Sequence, residues 1–150
     1  MDGGIRAVWP GARLAGTAVT VAVPPGELGG VRDALELIGP GDILVVDAAG
    51  DVAHAVLGDT MAQRILEKGG AGVVVDGAVR DTAALGTLAL PVFARGVTPR
   101  RATGSAGGSV CGSVTVGGIA VRAGDLVVGD ADGVVCIPEG VVARLLAAPT

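Results

Sequence analysis

Aromatic residues are almost missing from this chain: Trp9 and Phe93 stand alone among 150 residues, with no tyrosine at all. The stacking platforms on which single-strand nucleic-acid binders lay their bases are therefore absent. Basic clusters are missing too. The net charge is −4, and only Arg100 and Arg101 are adjacent cations, which argues against direct nucleic-acid contact, since phosphates need clustered positive charge. His54 is the single histidine, so Ser105, Ser109 and Ser113 have no base at a telling spacing and a serine hydrolase has no support. The two cysteines, Cys111 and Cys136, are far apart and match no metal-ligand spacing; Cys136, inside the run Val134-Val135-Cys136-Ile137, reads as a buried reduced thiol. No apolar run approaches membrane-spanning length. Met1 to Pro10 lacks the basic and apolar regions of a secretory signal, and the expectation is a soluble, cytoplasmic protein.

What is abundant is small and aliphatic. Half of the residues are hydrophobic, 17% are charged, and 27 are glycine. Such a chain buries a core, and its glycines mark tight turns and close backbone approaches. Residues 1–150 read as one domain. Short β-branched runs at 18–23, 43–47, 72–76 and 91–94 alternate with helical patterns at 31–38, 59–68 and 81–88, an order that predicts an α/β fold on a parallel sheet with buried strands. From Gly104 onward the texture changes to loop and short strand, then a meander at 119–121, 126–129 and 134–137, with a final helix over 140–147. The expected whole is a three-layer α/β arrangement with mixed strands. Low charge combined with high hydrophobicity also predicts a homo-oligomer.

Two segments carry chemistry. In Asp76-Gly77-Ala78-Val79-Arg80-Asp81, an apolar strand runs into an Asp-Gly turn and delivers an arginine beside a carboxylate at a strand's carboxyl end, where open α/β sheets bind ligands. A single carboxylate suits Mg²⁺ or Mn²⁺, which keeps most of its waters, better than zinc. Arg80 can hold a planar carboxylate or a developing enolate. The plainer alternative is that Asp81 caps the following helix and Arg80 pairs with Asp76. The second segment, Gly58-Asp59-Thr60-Met61, begins the amphipathic helix, where free N–H groups and the helix dipole favour anions; here the plainer alternative is an N-cap at Asp59 or Thr60. Gly69-Gly70-Ala71-Gly72 precedes its strand and is no dinucleotide fingerprint. Asp130-Ala131-Asp132-Gly133 reads as a hairpin turn, not a calcium loop.

Together these segments resemble the RraA-like family, which includes 4-hydroxy-4-methyl-2-oxoglutarate aldolases and RraA, the regulator of ribonuclease E activity. The resemblance rests on Gly58-Asp59-Thr60-Met61 followed by Gly72 to Asp81, and extends to Leu14-Ala15-Gly16-Thr17-Ala18-Val19-Thr20, Pro91-Val92-Phe93-Ala94-Arg95-Gly96 and Ala123 to Val134. It implies a swivelling β/β/α fold of three layers, assembled as a homotrimer or hexamer. It also implies a class II, divalent-metal-dependent pyruvate aldolase with oxaloacetate decarboxylase activity, acting on a small 2-oxo acid. Carried over residue by residue, Asp81 ligates Mg²⁺ or Mn²⁺, backbone amides across Gly58, Asp59, Thr60 and Met61 hold the pyruvate carboxylate, Arg80 stabilises the enolate, and Asp59 orients coordinated water. Lys68, at a helix end, is a poor Schiff-base amine, which independently disfavours the lysine-dependent aldolase class. The competing reading within the family is a protein-binding inhibitor of ribonuclease E without a catalytic role. A third label, demethylmenaquinone methyltransferase, finds no glycine-rich S-adenosylmethionine loop after a first strand.

Overall fold

Four valine-rich segments supply the centre of the fold. In the computed structural model, which describes residues 1–149, they form β2 (Leu14–Ala22), β3 (Asp42–Asp47), β4 (Gly72–Val79) and β5 (Val92–Val97). Each is parallel to the next, in the spatial order β5-β4-β3-β2. Helices α1 (Gly29–Leu35), α2 (Asp59–Glu67) and α3 (Thr82–Leu88) make the three crossovers. The meander β9 (Leu126–Asp130) and β10 (Gly133–Ile137) adds antiparallel to β2, and β1 (Arg6–Ala7) adds antiparallel to β5. The edges then approach one another: the N-terminal amine donates to the Val134 carbonyl on β10 at 2.9 Å, so the sheet curls into a nearly closed barrel.

Alternation along these strands sorts the core into two halves. Leu44, Val46, Val73, Val75 and Val92 face the helices and pack with Val31, Leu35, Ala62, Ile65 and Leu85. Ile43, Val45, Val74 and Phe93 face the other way, toward the small ribbon of β7 (Val114–Val116) and β8 (Ile119–Val121), and pack with Val114, Val116, Val121 and Val127. Helices, curled sheet and ribbon are the three layers of the expected β/β/α fold. A two-residue strand β6 (Ser109–Val110) pairs with the end of β2. The last helix, α4 (Glu139–Ala147), buries none of its residues.

Several boundaries differ from the sequence pattern. Strand β4 does not stop at Asp76. It continues through Val79, and Asp76-Gly77 sits at a bulge against β5 between Val75 and Ala78 instead of in a turn. The reason is tertiary: a Cβ on Gly77 would stand 2.8 Å from Ala48 Cβ, so glycine is required for close strand approach. Helix α1 begins earlier than its apolar pattern and ends at Leu35; Glu36, Leu37 and Ile38 continue it with tighter bonds to Asp33, Ala34 and Leu35. Asp130 and Gly133 do close a two-residue hairpin, with the Asp132 amide donating to Asp130 Oδ1.

Candidate active site

The carboxyl end of β4 and the N-terminus of α2 meet. Strand β4 ends at Val79, and the next amide, that of Arg80, donates to the Leu57 carbonyl at 2.9 Å, while the Val56 amide donates to Ala78. These two bonds hold the segment before α2 against the strand end, bringing Gly58 alongside Arg80 and Asp81. The fit is close. A Cβ on Gly58 would lie 2.7 Å from Asp81 Oδ2 and 2.9 Å from Arg80 Nε.

Asp81 is held in two ways. Its backbone is left-handed, at φ 61° and ψ 41°, a conformation that aspartate tolerates better than most residues but that still stores strain. Its Oδ2 accepts from the Asp59 amide at 3.0 Å. Both plainer alternatives are therefore corrected. Asp81 occupies the N-cap position of α3 but makes no side-chain capping bond there; its carboxylate instead caps the start of α2, whose N-cap residue is Gly58 rather than Asp59 or Thr60. Nor does Arg80 pair with Asp76. That carboxylate, 8% exposed, accepts from Arg95 Nε at 2.6 Å and from the Gly117 amide at 2.8 Å, and Arg95 reaches on to Asp2. The two carboxylates hold the Arg95 guanidinium charged far above the range of any working pH.

Arg80 is instead loosely ion-paired with Asp81. Its Nε lies 3.8 Å from Asp81 Oδ2, too far for a hydrogen bond, and it lines a cavity of about 270 Å³ with Leu57, Gly58, Thr60 and Met61. Of the first-turn amides of α2, Asp59 is engaged by Asp81, whereas Thr60 and Met61 have no acceptor among the described residues and remain available to an anion. Asp59 itself is half-exposed, with its carboxylate near its neighbour Thr60 Oγ1 at 3.5 Å.

Other sequence candidates fall elsewhere. His54 Nδ1 stands 2.8 Å from Asp51 Oδ2 and does not line this cavity. Lys68 sits at the opposite end of α2, roughly 13 Å along a helix of this length, with Nζ on the Glu36 carbonyl. Cys136 is half-buried, its Sγ 3.7 Å from Asp125, and burial with that carboxylate pushes the thiol up to about 11. Sequence reasoning missed three lining residues, Arg32, Arg64 and Arg101. Only the Arg100-Arg101 doublet gave any signal of them.

Comparison with known proteins places this geometry. Residues 1–136 match the family model described as RraA-like, Aldolase/RraA. A Halalkalibacterium halodurans protein, provisionally assigned as a 4-hydroxy-4-methyl-2-oxoglutarate aldolase, is 41% identical over 128 residues, covering 85% of this chain and 61% of that protein. The 4-hydroxy-4-methyl-2-oxoglutarate aldolase of Thermus thermophilus is 39% identical over 109 residues, covering 73% of this chain and 66% of its own length. The chain thus spans somewhat less than two thirds of these curated relatives. Among solved structures, the RNA-processing inhibitor RraA from Thermus thermophilus superposes with a TM-score of 0.84 at 35% identity, covering 93% of this chain and 84% of that one. With the β/β/α layers in place, the chain belongs to the RraA-like family.

Proposed function

We propose that the chain is a divalent-metal-dependent carbon–carbon lyase that cleaves 4-hydroxy-4-methyl-2-oxoglutarate or related 4-hydroxy-2-oxo acids to pyruvate and decarboxylates oxaloacetate. The observation that carries this reading is the junction at Gly58, where an arginine, a strained carboxylate and two free helix amides meet beside a cavity that Arg80, Thr60 and Met61 line. Both reactions break a carbon–carbon bond and leave the enolate of pyruvate, so one site serves both.

The donor set fits a hard cation. One oxygen of Asp81 is bonded to the Asp59 amide, and the other has no hydrogen-bond partner among the described residues. No group of three His, Cys, Asp or Glu side chains stands together among the described residues. A single carboxylate with waters suits Mg²⁺ or Mn²⁺, whereas zinc calls for more protein ligands. Asp81 would hold the ion, which when bound supplies positive charge to the keto oxygen. The chain's own groups do the rest. The Thr60 and Met61 amides seat the pyruvate carboxylate at the positive end of α2. Arg80 donates from its planar fork to oxygens on which charge grows as the bond breaks, and its benefit is greatest in the transition state. Asp59, half-exposed beside Asp81, would orient water held by the ion.

A homotrimer or hexamer belongs to the same proposal. Helix α4 buries nothing, and its Leu145 and Leu146 are 63% and 84% exposed. Light scattering should give three or six chain masses, and a monomer at working concentration overturns that part. The protein-binding alternative, inhibition of ribonuclease E, is favoured by the similarity to the Thermus RraA. Pyruvate release from oxaloacetate and from 4-hydroxy-4-methyl-2-oxoglutarate, with and without Mg²⁺, separates the two. Metal-dependent release above the free-ion background is expected. Its absence on both substrates overturns the lyase reading.

A further inference from the structure

We infer that Arg32 and Arg101 form a second anion site in the cavity, which binds the far carboxylate of the substrate and selects 2-oxo diacids over 2-oxo monoacids. This rests on the proposed function for the identity of the ligand's first half, the oxo-acid head held at Arg80 and the α2 amides.

The cavity is unbalanced in charge. Its lining contains Arg32, Arg64, Arg80 and Arg101 and no aspartate or glutamate. Two of the four are accounted for: Arg64 is paired with Glu36, and Arg80 stands beside Asp81. Arg32 and Arg101 are not. Among the described residues, neither has a carboxylate within 4.0 Å or any side-chain hydrogen bond. Two unpaired guanidinium groups around one concavity focus a positive potential inside it, and their planar forks match a carboxylate. Pyruvate needs one such partner, and Arg80 is it. The remaining pair has no role in binding a three-carbon acid, and the cavity is larger than that acid requires.

The backbone beneath these two arginines is built as one unit. Ala55, on the cavity wall, accepts from the Ala102 amide at 2.9 Å and donates to the Arg100 carbonyl at 2.7 Å, which clamps Arg101 from both sides. Three residues on, the Gly104 carbonyl accepts from the Leu28 amide, and the Leu28 carbonyl in turn accepts from the amide of Arg32. The segment carrying Arg101 and the helix carrying Arg32 are therefore joined through Gly104 and Leu28. The main chain beneath both arginines is thus fixed, so a ligand has only their side chains to order. Apolar Leu28, Leu35 and Met61 complete the walls, while Arg32 and Arg101 stay exposed to an entering anion.

Calorimetric titration with pyruvate and with 2-oxoglutarate, an oxo diacid, tests this in the presence of Mg²⁺. The parent should bind 2-oxoglutarate about ten- to a hundredfold more tightly than pyruvate, the worth of a charge-assisted hydrogen-bond pair. In the Arg32→Gln/Arg101→Gln double variant that preference should fall to within about threefold, with pyruvate affinity unchanged. Both side chains are exposed and unpaired, so the variant keeps its fold, which circular dichroism checks. Equal affinities in the parent, or a preference that survives the double substitution, overturn the second site, as does a parent that binds neither acid. If the preference behaves as described while neither substrate is cleaved, the anion site stands and the lyase reading alone is lost.

Discussion

Adding one methyl group at Gly58 tests the site without removing any of its functional groups. The residue sits at φ −139° and ψ −169°, extended backbone that alanine adopts freely, so Gly58→Ala introduces no backbone strain. The whole cost falls on its neighbours. The new Cβ would stand 2.7 Å from Asp81 Oδ2, 2.9 Å from Arg80 Nε and 3.3 Å from Arg80 Cγ, and both side chains must retreat by several tenths of an ångström. Retreat of Asp81 weakens its bond to the Asp59 amide, worth about 1 kcal/mol as a helix cap; alanine's smaller entropy in the unfolded chain returns roughly 0.4–1 kcal/mol. Net stability should change by about 1 kcal/mol or less, a shift of a few degrees at most in Tm. Catalysis should suffer far more, because misplacement approaching 1 Å costs on the order of 10²-fold. Steady-state decarboxylation of oxaloacetate with Mg²⁺, alongside a thermal melt, reads both. Near-parental turnover in a folded Gly58→Ala protein would mean that the chemistry does not occur at this junction.

Three further outcomes follow from the same geometry. Arg80→Lys keeps the charge but loses the planar fork, so turnover should fall by about 10²–10³ while Mg²⁺ affinity and stability hold; near-parental turnover removes Arg80 from the catalytic list. Asp81→Asn keeps an acceptor for the Asp59 amide and suits the left-handed backbone, so the protein should fold with metal-dependent activity gone, whereas Asp81→Ala should lose about 1 kcal/mol more; activity surviving in Asp81→Asn contradicts the metal assignment. Burial would raise the pKa of Asp51, but the Ala53 and Gly26 amides and the His54 ring outweigh it and hold the carboxyl below its ordinary 3.8. The stability this supplies is complete above that value and disappears as pH falls through the lower folded one. Urea unfolding of Asp51→Asn should therefore show a shallower loss between about pH 5 and pH 2 than the parent, and parallel curves refute it.

The fold was legible where side-chain period and chain order agree. Val73 to Val75 and Ile43 to Val46 read as buried strands, and Met61, Ala62, Ile65 and Leu66 gave the inward stripe of α2, because these patterns are local. Asp76-Gly77 misled for the opposite reason: the dipeptide is a turn signal in isolation, and only pairing with β3 and β5, together with the approach of Ala48, makes it a bulge. The role of Arg95 was hidden likewise, since Asp2, Asp76 and Arg95 are distant in sequence and meet only when β1 joins β5. At the site, Gly58 to Met61 stand out as a helix start and Arg80 and Asp81 as a strand end, family resemblance joins their roles, and the structure supplies how they meet. Arg32 and Arg101 escaped notice because an isolated arginine on a helix or loop looks like any solvated cation until a shared concavity gathers it.

The bond from the Asp59 amide to Asp81 also makes the beginning of α2 a gauge of site occupancy. One carboxylate oxygen closes the helix's first turn and belongs to the group that would hold the proposed cation, so the two demands would draw on a single charge. Bound positive charge would withdraw electron density from Asp81 and loosen its hold on the amide proton, and the first turn of α2 would open more often. Exchange of that one proton with solvent deuterium would then report, from the protein backbone alone, whether the site is filled.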